Sequence, residues 1–429
     1  MFCPKCNEPL EANASFCGNC GNQVAPIYAR GATIGDAVDR AKIGAWGRDF
    51  SVQSPPRIPV SSPANQPLRS TPPYPAMPTR SPHLDNGPVL LFCLLLLVVI
   101  IAGGTVILIK NGNNHNGANG AIQGQVTFSD NQSGQEHTNT LNINITGLSA
   151  PPSGSQYHAW LVNDQTEQLL SLGILIAQDQ KFTLNFTDKG INLLAQGDKV
   201  EITQEQGSVK LPTGKVVLSA KFPPLAFIHI RHLLVSFPGT PGNIGLLVGL
   251  RDQARQLDDQ ALLLKNASSS GNPFMVQCFT QSIIHIIEGN AANSSRGFPA
   301  ICATLNIPLS GDGFGLLGPK GYVVMAATHA SLAATQADST DTIKVHARHV
   351  IIATDNIKGW ATTVDQDAHA LLTNPDDAAK IQEIVTLSNH ILNGVDIDND
   401  ESIDPVPGEA GAITGYIHAQ LMATLTLAP

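Results

Sequence analysis

Two short segments, IHIRHLLV from Ile228 to Val235 and VHARHVII from Val345 to Ile352, carry histidine pairs in the same His-x-Arg-His frame. The chain has only 13 histidines, so four of them in one repeated frame is a specific arrangement. Residues three apart share a face of a helix. Each motif therefore projects two imidazoles to one side and turns its arginine away. Imidazoles that project inward from facing helices build metal or haem centres in bundles. A further pair follows, with His285-Ile-Ile-Glu-Gly289 answered by His390-Ile-Leu-Asn-Gly394. The expected sets are His229, His232 and His285 in one half, and His346, His349 and His390 in the other. Three readings stand open: histidines satisfied by structural hydrogen bonds, ligands of a metal or haem (in the extreme an oxidoreductase centre), or a pH-sensing cluster.

The match extends beyond the histidines. Asn243-Ile244 and Asp252-Gln253 are answered at the same internal spacing by Asn356-Ile357 and Asp365-Gln366, and Gly321-Tyr322 by Gly415-Tyr416. These markers in one order indicate a duplicated unit. LLVGLRDQARQLDDQALLLK and AAKIQEIVTLSNHILNG carry apolar residues at three- and four-residue steps, as amphipathic helices do. Four helices per copy are expected, with Gly289 and Gly394 as C-caps. The repeated Asp252 and Asp365 are placed to orient an imidazole or to complete a coordination shell.

Two further sets of residues have metal-binding spacing. In DIDNDESID, Asp396, Asp398, Asp400 and Asp404 hold the first, third, fifth and ninth places of a calcium loop. Glu401 stands where that loop has glycine, and Pro407 where it has glutamate, with Glu409 two places on. At the N-terminus, Cys3-Pro-Lys-Cys6 and Cys17-Gly-Asn-Cys20 supply four thiolates on two tight turns, a tetrahedral structural zinc site with no open position for catalysis. This pattern resembles the short zinc ribbons at the N-termini of many prokaryotic membrane proteins. The remaining Cys278 and Cys302 are available to each other as a pair outside a membrane. The Gly313-Phe-Gly315-Leu-Leu-Gly318 run matches a dinucleotide fingerprint, but it lacks the strand–turn–helix setting that chemistry requires.

The elements that position these residues are strung along the chain in order. Residues 1–24 form the ribbon, and 25–87, rich in proline and poor in apolar residues, read as a disordered tether. Residues 88–109 run uncharged from Pro88 to Ile109. About 20 such residues cross a bilayer as a helix. Arg48, Arg57, Arg69 and Arg80 precede this segment and only Lys110 follows before the uncharged 111–119 spacer. The excess of positive charge on one side orients the N-terminus to the cytoplasm and the rest outside.

From 120 to 222 the texture is β: GQVTFSD, TLNINITGL, YHAWLVN, LLSLGILI, KFTLNFTD, KVEITQE and KVVLSA alternate with period two between turns. With YHAWLVNDQTEQLLSLGIL and VEITQEQGSVKLPTGKVVLSA, this region resembles the C-terminal domain of anti-sigma-K factors. The resemblance implies an extracytoplasmic sandwich on a single-pass anchor. It does not carry sigma-factor inhibition, which resides in a cytoplasmic helical domain that a ribbon and tether replace here.

The fold class expected is therefore multidomain: zinc ribbon, linker, one membrane helix, an all-β sandwich, then two all-α bundle copies at 223–338 and 339–429. Of 429 residues, 14% are charged and the net charge is −9, so phosphate neutralisation, and with it nucleic-acid binding, is not suggested. The leading expectation is a non-enzymatic, plasma-membrane binding or sensing protein with an extracytoplasmic ligand. An anti-sigma-like regulator, with a cytoplasmic protein partner for the ribbon, is the alternative, and a His-ligated oxidoreductase the third.

Overall fold

In the computed structural model, the described residues are 121–429 apart from 131–136, 180 and 292–297. The ribbon cysteines, the tether and the 88–109 segment lie outside them. Among the described residues no helix is long and apolar enough to cross a membrane.

Among the described residues, nine strands form two antiparallel sheets. β1 (Gln123–Ser129), β2 (Thr140–Thr146), β5 (Ile176–Gln178), β6 (Lys181–Thr187) and β9 (Leu425–Leu427) make one, in the order β5-β6-β2-β1-β9. β3 (Ser155–Asn163), β4 (Gln168–Ile174), β7 (Lys199–Gln206) and β8 (Lys215–Lys221) make the other, in the order β4-β3-β7-β8. The period-two pattern gives each strand a buried row: Val126 and Phe128 on β1, Leu141, Ile143 and Ile145 on β2, Val200 and Ile202 on β7. Trp160 is also buried, and its indole N–H donates to Thr203 Oγ1 at 2.8 Å, so the ring leaves no orphaned donor. The run expected as one strand, LLSLGILI, is divided at Leu175 into β4 and β5.

β9 was not anticipated. It belongs by position to the second helical copy, yet it pairs with β1 through Gly124↔Leu427, Gln125↔Thr426 and Val126↔Leu425. A further bridge joins Ala428 to Ser219 of β8, so the chain's last residues touch both sheets. The boundary between sandwich and helices is crossed elsewhere too. After the short α1 (Leu193–Gln196) and β8, α2 (Pro224–Leu234) begins with Phe227 stacked on Phe222 at 3.9 Å. Arg231, the arginine turned away in the first His-x-Arg-His, donates to the carbonyls of Leu194 and Gly197. Its guanidinium also lies 4.4 Å over the Phe227 ring. One continuous apolar core runs through sandwich and helices.

The first copy continues with α3 (Leu246–Ser269), α4 (Pro273–Glu288), the short α5 (Ala300–Thr304) and α6 (Tyr322–Thr335). The second comprises α7 (Asp341–Leu371), α8 (Ala378–Asn393) and α9 (Ala412–Met422). The expectation of four helices in each copy is corrected here: among the described residues the first copy has five, counting the short α5, and the second has three. In the first, Pro238-Gly-Thr-Pro241-Gly242 separates α2 from α3: proline supplies no N–H, and Gly242 sits at φ 70°. His229 is 14 residues from Asn243, whereas His346 is 10 from Asn356, so the break is an insertion. Without it, the equivalents of α2 and α3 run on as the single 31-residue α7. Cys278 and Cys302 form a disulfide that ties α4 to α5.

Close helix packing rests on one glycine in particular. A Cβ on Gly249 of α3 would lie 2.2 Å from the ring of Tyr322. That ring is fully buried and its hydroxyl donates to Asp312 Oδ2 at 2.6 Å, so it has no room to retreat. Gly249→Ala is expected to destabilise the protein by about 1–3 kcal/mol, the usual range for overpacking, read as a lower urea midpoint at unchanged slope.

Candidate metal centres

The four histidines of the repeated frames do converge, but with partners other than those expected. In the first copy, Nδ1 of His229 and Nδ1 of His232 each lie 3.1 Å from Nδ1 of His329 on α6. In the second, Nδ1 of His346 and Nδ1 of His349 lie 2.9 and 3.2 Å from Nδ1 of His418 on α9. Each centre thus takes two rings from one helix, spaced i and i+3, and one from the helix packed across it.

His285 and His390, expected as the third members, are elsewhere. Nδ1 of His285 is 2.7 Å from the carbonyl oxygen of Ser310 and Nε2 faces Asn290, while the His390 ring packs against Trp360 at 5.6 Å. Both stand in the last turn of a helix, where their own carbonyls accept from the C-cap amides of Gly289 and Gly394. Their repetition belongs to how α4 and α8 end. The sequence does hold the signal for the residues that replace them. His329-Ala-Ser-Leu-Ala-Ala-Thr335 is answered by His418-Ala-Gln-Leu-Met-Ala-Thr424. Aligning Gly321-Tyr322 with Gly415-Tyr416 puts this match out of step and hides it.

The electrostatics of both centres favour lone pairs over protons. Burial pushes the His329 and His418 imidazoles down to about 3, and neighbouring histidines add to the shift. His232 and His346 are pushed down to about 4, by burial first and then by His229 and His349. Burial lowers His229 as well, and burial with the nearby Arg348 charge lowers His349. All six rings are therefore neutral at pH 7. A neutral imidazole has one N–H and one acceptor. Three Nδ1 atoms meeting at a point cannot satisfy one another, since the central His329 or His418 nitrogen can pair well with only one neighbour. A cation satisfies all three together. With Zn–N bonds of about 2.0–2.1 Å, tetrahedral donors stand about 3.3 Å apart, close to the spacing seen.

The two centres differ in their surroundings. His229, His232 and His329 are 3%, 2% and 2% exposed, and Phe237 closes over two of the rings at 5.5 and 5.1 Å. The side-chain amide of Gln336 lies 3.1 Å from His229 Nε2. With its oxygen turned to the ring, that amide would hold the Nε2 proton and leave Nδ1 free to ligate. A cleft of about 220 Å³ borders His232 on its outer side, between Asn163, Gln165 and Thr166 of the sandwich and Ile228 and Arg231 of α2. The second centre is only partly buried.

A haem does not fit either centre. Axial ligation presents one imidazole to each face of a porphyrin, whereas three donor atoms within 4.8 Å of one another leave no space for the macrocycle. The acidic loop is also engaged otherwise. Asp396 accepts the amides of Asn399, Asp400 and Glu401, and Asp400 accepts that of Ser402. Asp404 accepts the Ser402 hydroxyl, and Asp398 is exposed. Glu409, 1% exposed, holds the amides of Ile397 and Asp404. Glu401, in the place a calcium loop gives to glycine, has φ 69°. The carboxylates close the turn on its own backbone, and one oxygen each of Asp396, Asp398 and Asp400 lies within 4.8 Å of the others, so three of the four expected residues are brought together.

Comparison with known protein families places two parts of the chain. Residues 2–24 match the zinc-ribbon domain, which supports structural zinc on Cys3, Cys6, Cys17 and Cys20. Residues 96–216 match the C-terminal domain of anti-sigma-K factor RskA. Neither curated proteins nor solved structures gave a match to the chain. Both histidine centres lie beyond the two matched regions, and the chain carries an anti-sigma-type domain joined to a zinc ribbon.

Proposed function

We propose that this protein is a membrane-anchored, non-enzymatic regulator that captures a transition-metal ion outside the cell at two tri-imidazole centres. The observation that carries the reading is the repeated meeting of three neutral Nδ1 atoms, on His229, His232 and His329 and again on His346, His349 and His418. An all-nitrogen donor set without thiolate or carboxylate suits Zn²⁺ or Cu²⁺ and selects against Mg²⁺ and Ca²⁺. The match to an anti-sigma-type domain supports a regulatory role on a membrane anchor. The Cys278–Cys302 disulfide supports an oxidising compartment for the helical half. The uncharged 88–109 run supplies the anchor, and the zinc ribbon faces a cytoplasmic protein partner.

Full-length protein reconstituted with zinc is expected to hold three equivalents, one in the ribbon and one in each imidazole centre. His329→Ala and His418→Ala should each remove one, and the double variant two, by elemental analysis after gel filtration. Retention of all three equivalents in the double variant, or of only one in the unaltered protein, overturns the metal reading.

Compartment has its own test. Alkylation of free thiols in intact cells is expected to leave Cys278 and Cys302 unmodified until reductant is added, and mass spectrometry reads the difference. Labelling of both before reduction would place this half in a reducing compartment.

Acid sensitivity follows from the depressed imidazoles. In the unfolded chain they titrate near 6.5, so below that pH the unfolded state binds more protons than the folded one and stability falls. Metal-free protein should show a steady urea midpoint above pH 6.5 and a steep decline between pH 6.5 and 4. Asp365, raised to about 6 by burial and the Glu288 charge, acts in the opposite direction. Asp258 and Asp398 are raised as well, and these three carboxylates are outnumbered by the six imidazoles.

A further inference from the structure

A third group of donor atoms lies at the seam between the two copies. Glu288 is the last residue of α4, in the first copy, while Asp365 and His369 stand i and i+4 on α7, in the second. His369 Nε2 is 2.8 Å from Glu288 Oε1 and 3.9 Å from Asp365 Oδ1. All three donor atoms fall within 4.8 Å of one another. We infer that Glu288, Asp365 and His369 form a separate site for a divalent first-row cation such as Mn²⁺ or Fe²⁺, with water completing its shell.

Charge, donor chemistry and access each support this. Two carboxylates side by side offer the negative charge that a divalent ion offsets, and the imidazole adds a nitrogen donor. Asp365 Oδ1 is buried and has no hydrogen-bond partner among the described residues. Glu288 also ends a helix, where the backbone carbonyls add negative potential. An imidazole beside two carboxylates favours borderline first-row ions over Ca²⁺ and Mg²⁺. Side-chain exposures of 32% for Glu288, 22% for Asp365 and 39% for His369 leave open positions for solvent.

The duplication supplies an internal control. Positions equivalent to Glu288, Asp365 and His369 are Asn393, Asp252 and Gln256. α8 and α3 form and pack with amides at two of these places, and Gln256 there accepts the amide of Gly311. The scaffold therefore does not need a second carboxylate and an imidazole at the seam. Each appears in one copy only, Glu288 in the first and His369 in the second, on two helices that meet with their polar ends together.

The experiment titrates Mn²⁺ into full-length protein carrying His329→Ala and His418→Ala, counting free ion by its six-line electron paramagnetic resonance signal. Wild-type protein preloaded with zinc at the imidazole centres gives the same count without those substitutions. The expected result is one Mn²⁺ per chain in both, lost on Glu288→Gln and lost on His369→Gln, the residue the twin helix already carries at that place. Absence of Mn²⁺ binding, or a bound ion indifferent to both substitutions, overturns the site. Because the imidazole centres are removed or filled beforehand, their failure to bind zinc reads separately from this outcome.

Discussion

Burial of imidazole is the constraint on which the C-terminal half of this protein depends. A histidine in water carries a proton for part of its time near neutral pH. Four of the six clustered here are held down to about 3 or 4, chiefly because the surrounding helices exclude solvent. The same exclusion that makes the charged form costly leaves three ring nitrogens facing one point. Packing pressure and ligand readiness are therefore one property of these helices. A neutral triad lends no charge to whatever it holds, so a bound divalent ion would keep its full Lewis acidity behind a wall of apolar side chains.

The arrangement explains the curious composition of the repeated frame. On α2 the histidines turn to the centre while Arg231 reaches back to the carbonyls of α1 and Gly197, bonding the helix to the sandwich. One four-residue motif thus builds a site on one side and a domain junction on the other. In the second copy Arg348 is exposed, since no sandwich lies behind α7. Further from the centres, Arg251 of α3 reaches Asp130 at 2.8 Å and lies 3.8 Å over Tyr416 of α9. Sandwich and bundle are consequently difficult to describe as independent modules.

Much of this was legible in the residues. Alternation along β1 to β8 located the strands, and the doubled frames identified four of the six convergent histidines. The remaining pair was missed for a physical reason. His285 and His390 repeat because each helix must end in the same way, and a repeated ending looks the same as a repeated ligand when only residue types are compared. His329 and His418 sit in largely apolar helices of low amphipathicity, where no face is marked as inward. The fusion of α2 and α3 into α7 was visible in the absence of a Pro-Gly insertion. β9 could not be found by pattern, since three residues carry no period and its pairing partner lies some three hundred positions away.

That last strand has a consequence for how the molecule comes into being. Synthesis runs from β1 to β9, and β9 caps the exposed margin of β1. Until β9 has been made, one flank of the first sheet remains unpaired, whatever the intervening helices have achieved. The polypeptide is closed like a loop of rope whose tail is tucked under its own first turn. A shortened copy would keep its histidines and lose the knot.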